Sequence, residues 1–115
     1  MSRSDEAVRL RHMLDHAREA VAMASGRTRA DLAANRMLEL ALVRLVEIIG
    51  KAAARVSDET RSRYPEIEWR IIAGMRHRLV HGYDTVDHDV LWDTVQQDLP
   101  GLIVKLAAAL PPDRL

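Results

Sequence analysis

Apolar residues recur along this chain at three- and four-residue steps, the spacing of helix faces rather than of alternating strands. Leu10, Leu14, Ala17, Val21 and Ala24 mark one face of a first helix. Ser4 is its expected cap, Asp5 and Glu6 sit in its opening turn where the helix dipole favours acids, and Gly26 closes it. Thr28 and Asp31 have capping-box spacing, with Asp in place of the usual Glu or Gln, ahead of a long central helix predicted from Leu32 to about Val56. Its residues Leu40, Ala41, Leu42, Val43, Leu45, Val46, Ile48 and Ile49 cover nearly the whole circumference, which predicts neighbours on several sides, another subunit among them, with Gly50 permitting a close approach. Ser57 caps a short piece from Asp58 to about Arg63, which Tyr64 and Pro65 interrupt. A fourth helix begins near Glu66, shows Ile67, Ile71, Ile72, Met75 and Leu79 on one side, and stops at Gly82 right after His81. The last helix starts at Asp87 and runs through Val90, Leu91, Val95, Leu99, Leu102, Ile103 and Leu106. Pro100 removes one backbone donor and predicts a kink, and Pro111 and Pro112 end the helix. The expected fold is all-α, an antiparallel four- to five-helix bundle occupying residues 1–115 as one domain.

Composition narrows the function classes. With 48% hydrophobic and 30% charged residues the chain reads as globular rather than disordered. No apolar run approaches the roughly 20 residues of a membrane span, and the first residues lack a signal-peptide core, so the expected location is the cytoplasm, away from membranes. The absence of Cys excludes disulfides and thiolate metal sites. Seventeen basic and seventeen acidic residues balance, so any RNA contact must be local rather than the work of a global field. Four aromatics, Tyr64, Trp69, Tyr83 and Trp92, are too few for a base-stacking platform.

The candidate chemistry lies in Met75, Arg76, His77, Arg78, Leu79, Val80, His81, Gly82 and Tyr83, with the spacing Arg, four residues, His, one residue, Tyr. Cleaving an RNA phosphodiester without metal needs a base for the ribose 2′-hydroxyl, an acid for the leaving 5′-oxygen, and positive charge for the transition state. An imidazole, with an unperturbed pKa of about 6.5, serves as acid or base near neutrality, and an Arg fork grips two phosphate oxygens. A His that ends its helix has its charged form favoured by the dipole, which would tilt His81 towards the acid role. On a regular helix Arg76 and His81 project about 140° apart, so they converge only if the helix ends or distorts around His81, as Gly82 permits. One motif His per chain leaves acid or base unfilled, and a symmetric homodimer would fill both. A solvated Arg and His on a bundle helix, with Tyr83 packing the bundle end, would give the same spacing. Arg78 is a possible RNA phosphate contact and equally a surface residue. His77 and His81 stand at metal-ligand spacing with His88 beyond, but no third ligand shares their face, and Asp84, Asp87 and Asp89 lack the glycine and final Glu of a calcium loop. No metal and no other cofactor is expected.

Together with this motif, Tyr64, Pro65, Glu66, Ile67, Glu68, Trp69, then Ile72, Gly74, and downstream Asp87, Trp92, Asp98, Leu99 and Pro100 resemble the HepT-like branch of the HEPN superfamily, as does the stretch from Glu47 to Ala52. That resemblance implies a HEPN-like bundle acting as a homodimer, a metal-independent ribonuclease toxin of a toxin–antitoxin system whose catalytic residues are Arg76 and His81. It further implies a nucleotidyltransferase antitoxin as partner and adenylylation of Tyr83 as the means of neutralisation. Two positions depart from the pattern: Lys51 stands where an acid is common and His77 where an Asn commonly follows the Arg. Two other functions fit the same helices. One is a catalytically inactive module that binds nucleotide or partner alongside a nucleotidyltransferase; the other is a plain dimerisation bundle.

Overall fold

The apolar steps of the first segment fold as α1 (Arg3–Ala24), which buries Leu10, Met13, Leu14, Ala17, Ala20 and Ala24. The computed structural model describes residues 3–111, with side chains from Asp5 onward. The expected cap at Ser4 therefore lies outside the described side chains, and Ser4 is already inside the helical backbone. Gly26 takes φ +76°, the left-handed conformation that glycine adopts without steric cost. The chain then turns into α2 (Ala30–Ala34) and α3 (Arg36–Ala54). At the Thr28 turn only one half of the expected box forms: the Thr28 amide donates to Asp31 Oδ2 at 2.7 Å.

The long central helix predicted from Leu32 to Val56 is thus divided. Asn35 adopts an extended conformation between α2 and α3, and its Oδ1 accepts from the Leu38 amide at 3.1 Å, capping α3. The near-complete apolar circumference of α3 also resolves. Leu42, Leu45, Val46 and Ile49 are buried, Val43 and Ile48 are partly buried, and Leu40 is half exposed. Gly50 does the work expected of it. A Cβ there would lie 3.2 Å from the Ile72 carbonyl oxygen, so the bare backbone lets α5 (Trp69–Ala73) seat against α3.

Between them α4 (Asp58–Arg63) is capped by Ser57, whose hydroxyl accepts from the Thr60 amide at 3.2 Å. Glu6 near the start of α1 accepts from the Ser57 amide at 2.8 Å and from the Thr60 hydroxyl at 3.2 Å, which sets α1 and α3 antiparallel. Burial alone would raise the Glu6 carboxyl, but hydrogen bonds from Ser57 and Thr60, with Arg9 at 3.6 Å, outweigh it and hold the group below its ordinary value.

The fourth helix is also divided. Gly74 separates α5 from α6 (Met75–Leu79), and α6 leads not to a turn but into a hairpin of β1 (Val80–His81) and β2 (Thr85–Val86), paired antiparallel with His81 opposite Thr85. Asp87 caps α7 (His88–Asp93), its Oδ1 accepting from the Val90 amide at 3.1 Å. Next to Pro100 the helix departs from regular α geometry: a π-helical turn over Thr94–Asp98 runs directly into α8 (Leu99–Ala109). The helical backbone is continuous from α7 through Pro100, so the donor that Pro100 lacks is missing from the turn before it, and the π turn is where the helix absorbs the change. Tyr64 donates its hydroxyl to the Ala109 carbonyl at 3.4 Å and Arg11 donates to the Pro111 carbonyl at 3.0 Å, so α8 returns antiparallel to α1. The expected end at Pro112 lies outside the described residues. Buried residues of α1, α3, α5, α6, α7 and α8 form one continuous apolar cluster. The bundle is all-α apart from the hairpin, and no described helix is long and apolar enough to cross a membrane.

Candidate active site

The motif spans a change of secondary structure. Leu79 is fully buried and anchors the last turn of α6, while the Asp87 amide donates to the Leu79 carbonyl at 2.7 Å, taking the acceptor that a continuing helix would use. Val80, extended and buried, starts β1; His81 then points to the opposite, exposed side. Gly82 at φ +66° opens a three-residue loop of Gly82, Tyr83 and Asp84, and a Cβ there would touch nothing within 4 Å, so glycine is needed for its backbone and not for space. The helix ends two residues before His81. The expectation that a helix terminus favours charged His81 therefore has no basis, and acid and base roles stay equally open.

Arg76 leaves α6 towards α3, where its Nε donates to Glu47 Oε2 at 2.7 Å. The other oxygen of Glu47 accepts from Arg44 Nη1 at 2.5 Å. The Arg44 hydrogen bond, and after it the Arg76 hydrogen bond and the charges of Lys51 and Arg44, outweigh burial and hold the Glu47 carboxyl below its ordinary value. Glu47 is therefore ionised at neutral pH and grips the inner edge of the guanidinium. The terminal Nη1 and Nη2 of Arg76 have no partner among the described residues, and the side chain is 42% exposed. They open on a groove of about 390 Å³ lined by Glu47, Lys51, Ala73, Arg76 and His77. Lys51 and His77 both line this groove, and Lys51 adds positive charge to it.

Sequence reasoning did not single out Glu47. Its signal was an acid flanked by Val46, Ile48 and Ile49 on a helix apolar almost all round, a place where a charge needs a partner.

His81 stands apart from Arg76: among the described residues no hydrogen bond or ion pair joins them. The His81 side chain is 62% exposed, with Nε2 3.9 Å from Asp87 Oδ2. Tyr83 at the hairpin tip is 95% exposed, so it does not pack the bundle end. The loop is tethered to α3 instead. Arg36 lies 3.8 Å from Asp84 and also pairs with buried Glu39, which in turn binds His88 at the start of α7. Arg78 projects away from the Arg76 groove into a second one between α5 and α8, beside Met75, Leu102 and Lys105. Among the described residues no group of three His, Cys, Asp or Glu side chains is placed to hold a metal ion.

A divided helix that carries Arg76 and leads into a His81-bearing hairpin, inside an antiparallel bundle, is the setting in which the comparisons with known proteins fall. The profile of the family described as "Ribonuclease HepT-like" matches residues 13–109. The chain belongs to this family, and its enzyme class is that of a ribonuclease. It is 40% identical over 72 residues to a "Probable ribonuclease HepT" of Thermococcus cleftensis, a match spanning 63% of this chain and 66% of that protein. It is 29% identical over 100 residues to a "Putative RNase" of Methanocaldococcus jannaschii, covering 87% of this chain and 92% of the relative. A "Putative RNase" of Caldanaerobacter subterraneus is 32% identical over 93 residues, covering 81% and 83%. No solved structure matches significantly.

Proposed function

We propose that this chain is a metal-independent endoribonuclease acting in the cytoplasm as the toxin of a toxin–antitoxin pair. Arg76 holds the scissile phosphate and stabilises its transition state, and His81 moves a proton as general acid or base. In the reaction the ribose 2′-hydroxyl loses its proton and its oxygen bonds to phosphorus. The bond from phosphorus to the 5′-oxygen breaks and that oxygen takes up a proton, leaving a 2′,3′-cyclic phosphate and a 5′-hydroxyl. The carrying observation is the state of Arg76: Glu47 fixes its Nε at 2.7 Å while both terminal nitrogens face an open groove, the presentation a bidentate phosphate grip requires. Because Arg76 and His81 are unlinked within the chain, the complete site belongs to a homodimer in which two motifs face each other. Tyr83, exposed at the loop tip two residues from His81, is the hydroxyl that a nucleotidyltransferase antitoxin adenylylates. The added phosphate then competes with RNA for the nearby cations.

The test is incubation of the purified protein with total RNA in chelator, beside Arg76→Ala and His81→Ala. Fragments ending in cyclic phosphate should form with wild type and fall by about 10²- to 10⁴-fold in either variant. Restoration only by added metal would refute the mechanism. Undiminished cleavage by His81→Ala would point to a contaminant and to the catalytically inactive partner-binding module. For the regulatory arm, coexpression with a neighbouring nucleotidyltransferase should add AMP-sized mass to wild type and not to Tyr83→Phe.

A further inference from the structure

On the far side of Lys51 from the Arg76 groove, α1 and α3 enclose a second groove of about 410 Å³. Its walls carry Arg9 and His12 from α1 and Arg44, Lys51 and Arg55 from α3 and its end, with Asp5 as the single carboxylate. Lys51 lines both grooves, so they form one surface running across α3. Arg44 and Arg55 are eleven positions apart, roughly 16 Å along the axis at 1.5 Å per residue, a length that spans more than one phosphate. Some of this charge is already engaged. Arg9 pairs with Glu6 at 3.6 Å, and Glu47 is shared between Arg44 and Arg76. Lys51 and Arg55, about one turn apart, have no hydrogen-bond or ion-pair partner among the described side chains. Across the joined surface five Arg and Lys side chains stand with two carboxylates, Asp5 and Glu47, in a chain whose overall charge is zero.

We propose that this α1–α3 groove is a binding track for the sugar–phosphate backbone of single-stranded RNA beside the cleaved bond, with Lys51 and Arg55 as its principal phosphate contacts. The identity of the occupant rests on the ribonuclease reading above. The track supplies the local positive surface that a neutral chain needs to hold a polyanion, and it reads backbone without sequence. Lys51 joins the cleavage groove to the track, because its side chain lines both.

Binding to a uniformly 2′-O-methylated oligoribonucleotide, which lacks the 2′-hydroxyl nucleophile and cannot be cut, tests the track separately from cleavage. Affinity is measured from 50 to 200 mM salt for wild type, the double variant Lys51→Gln/Arg55→Gln, and the control Arg27→Gln at the distant end of α1. Each phosphate contact to single-stranded nucleic acid contributes about 0.7 to the salt slope. The double variant should lose about 1.4, so that wild-type affinity falls roughly sevenfold more across this range. Arg27→Gln should keep the wild-type slope. An unchanged slope in the double variant overturns the track, as does an equal loss in Arg27→Gln, which would indicate only a diffuse field, or no RNA binding by wild type. A chain that binds through Lys51 and Arg55 but leaves ordinary RNA intact would refute the cleavage mechanism and keep the track. Matching melting temperatures for the three proteins establish that folding is not the variable.

Discussion

The guanidinium of Arg76 is divided in use: its Nε is committed to Glu47 and its outer nitrogens are not. In the proposed mechanism Glu47 would act on RNA only through Arg76, by keeping the fork turned to the groove. Glu47→Gln leaves an acceptor in place but removes the charge that orients the fork, and a misplacement of about 1 Å at a phosphate grip can cost on the order of 10²-fold. RNA cleavage by Glu47→Gln should therefore fall about ten- to a hundredfold, with kcat affected more than KM and the fold retained. Near wild-type kcat would show that Arg76 needs no such hold. At this scale the sequence was only half informative. Arg76, His81 and Tyr83 could be named as candidates because the motif is contiguous, whereas the Glu47 contact joins positions 29 apart and depends on how α5 seats against Gly50.

Elements were legible where apolar periodicity is long and uninterrupted, as in α1 and α3, and less so where one residue tips a local balance. Asn35 competes with the helix by capping α3 with its own side chain, and Gly74 and Gly82 release the backbone on either side of α6. The hairpin was not foreseen because two-residue strands carry too little alternation to register as a pattern, and their pairing is completed by the Asp87-to-Leu79 bond across the loop. Gly82 offers a clean test of that loop. Gly82→Ala forces an L side chain into the left-handed region and should cost about 1 kcal/mol in denaturant unfolding. Gly26→Ala carries the same backbone penalty at φ +76° and the same open surroundings, so it should cost a similar amount. Only Gly82→Ala should also reduce RNA cleavage, because its loop carries His81. Equal cleavage by the two variants would mean that the loop geometry does not matter to the chemistry.

The junction of α1 with α4 makes a prediction about pH. Glu6 has a folded-state pKa below its ordinary 4.5, so its contribution to stability is complete above that value and is lost as pH falls through the lower, folded-state value. Glu6→Gln should consequently melt below wild type at pH 7, with the gap narrowing as pH drops beneath about 4.5. A gap constant down to pH 3 would show that the carboxylate charge is immaterial at this junction.

Across the whole molecule the decisive question is how a chain with one motif His completes acid–base chemistry. Within the fold Arg76 looks towards α3, in a groove that His77 also lines, while His81 stands on the hairpin, and among the described residues no hydrogen bond or ion pair joins His81 to another imidazole. The outward apolar side chains offer a means: Met37 is 79% exposed and Leu40 half exposed on α3, the helix expected to meet a second copy, and Ile71 is half exposed on α5. Light scattering at micromolar concentration should give twice the chain mass, and a monomer there would remove the basis for a shared site. Mixing provides the sharper test. If each site requires His81 from both copies, randomly reassociated equal amounts of wild type and His81→Ala contain about one quarter wild-type dimers, so total cleavage falls to about a quarter of that from the same total number of chains, all of them wild type. If every chain works alone, the mixture retains about one half, because mutant subunits merely dilute the active ones. A quadratic dependence on the wild-type fraction supports the shared site, and a linear one assigns both proton transfers to groups within a single chain.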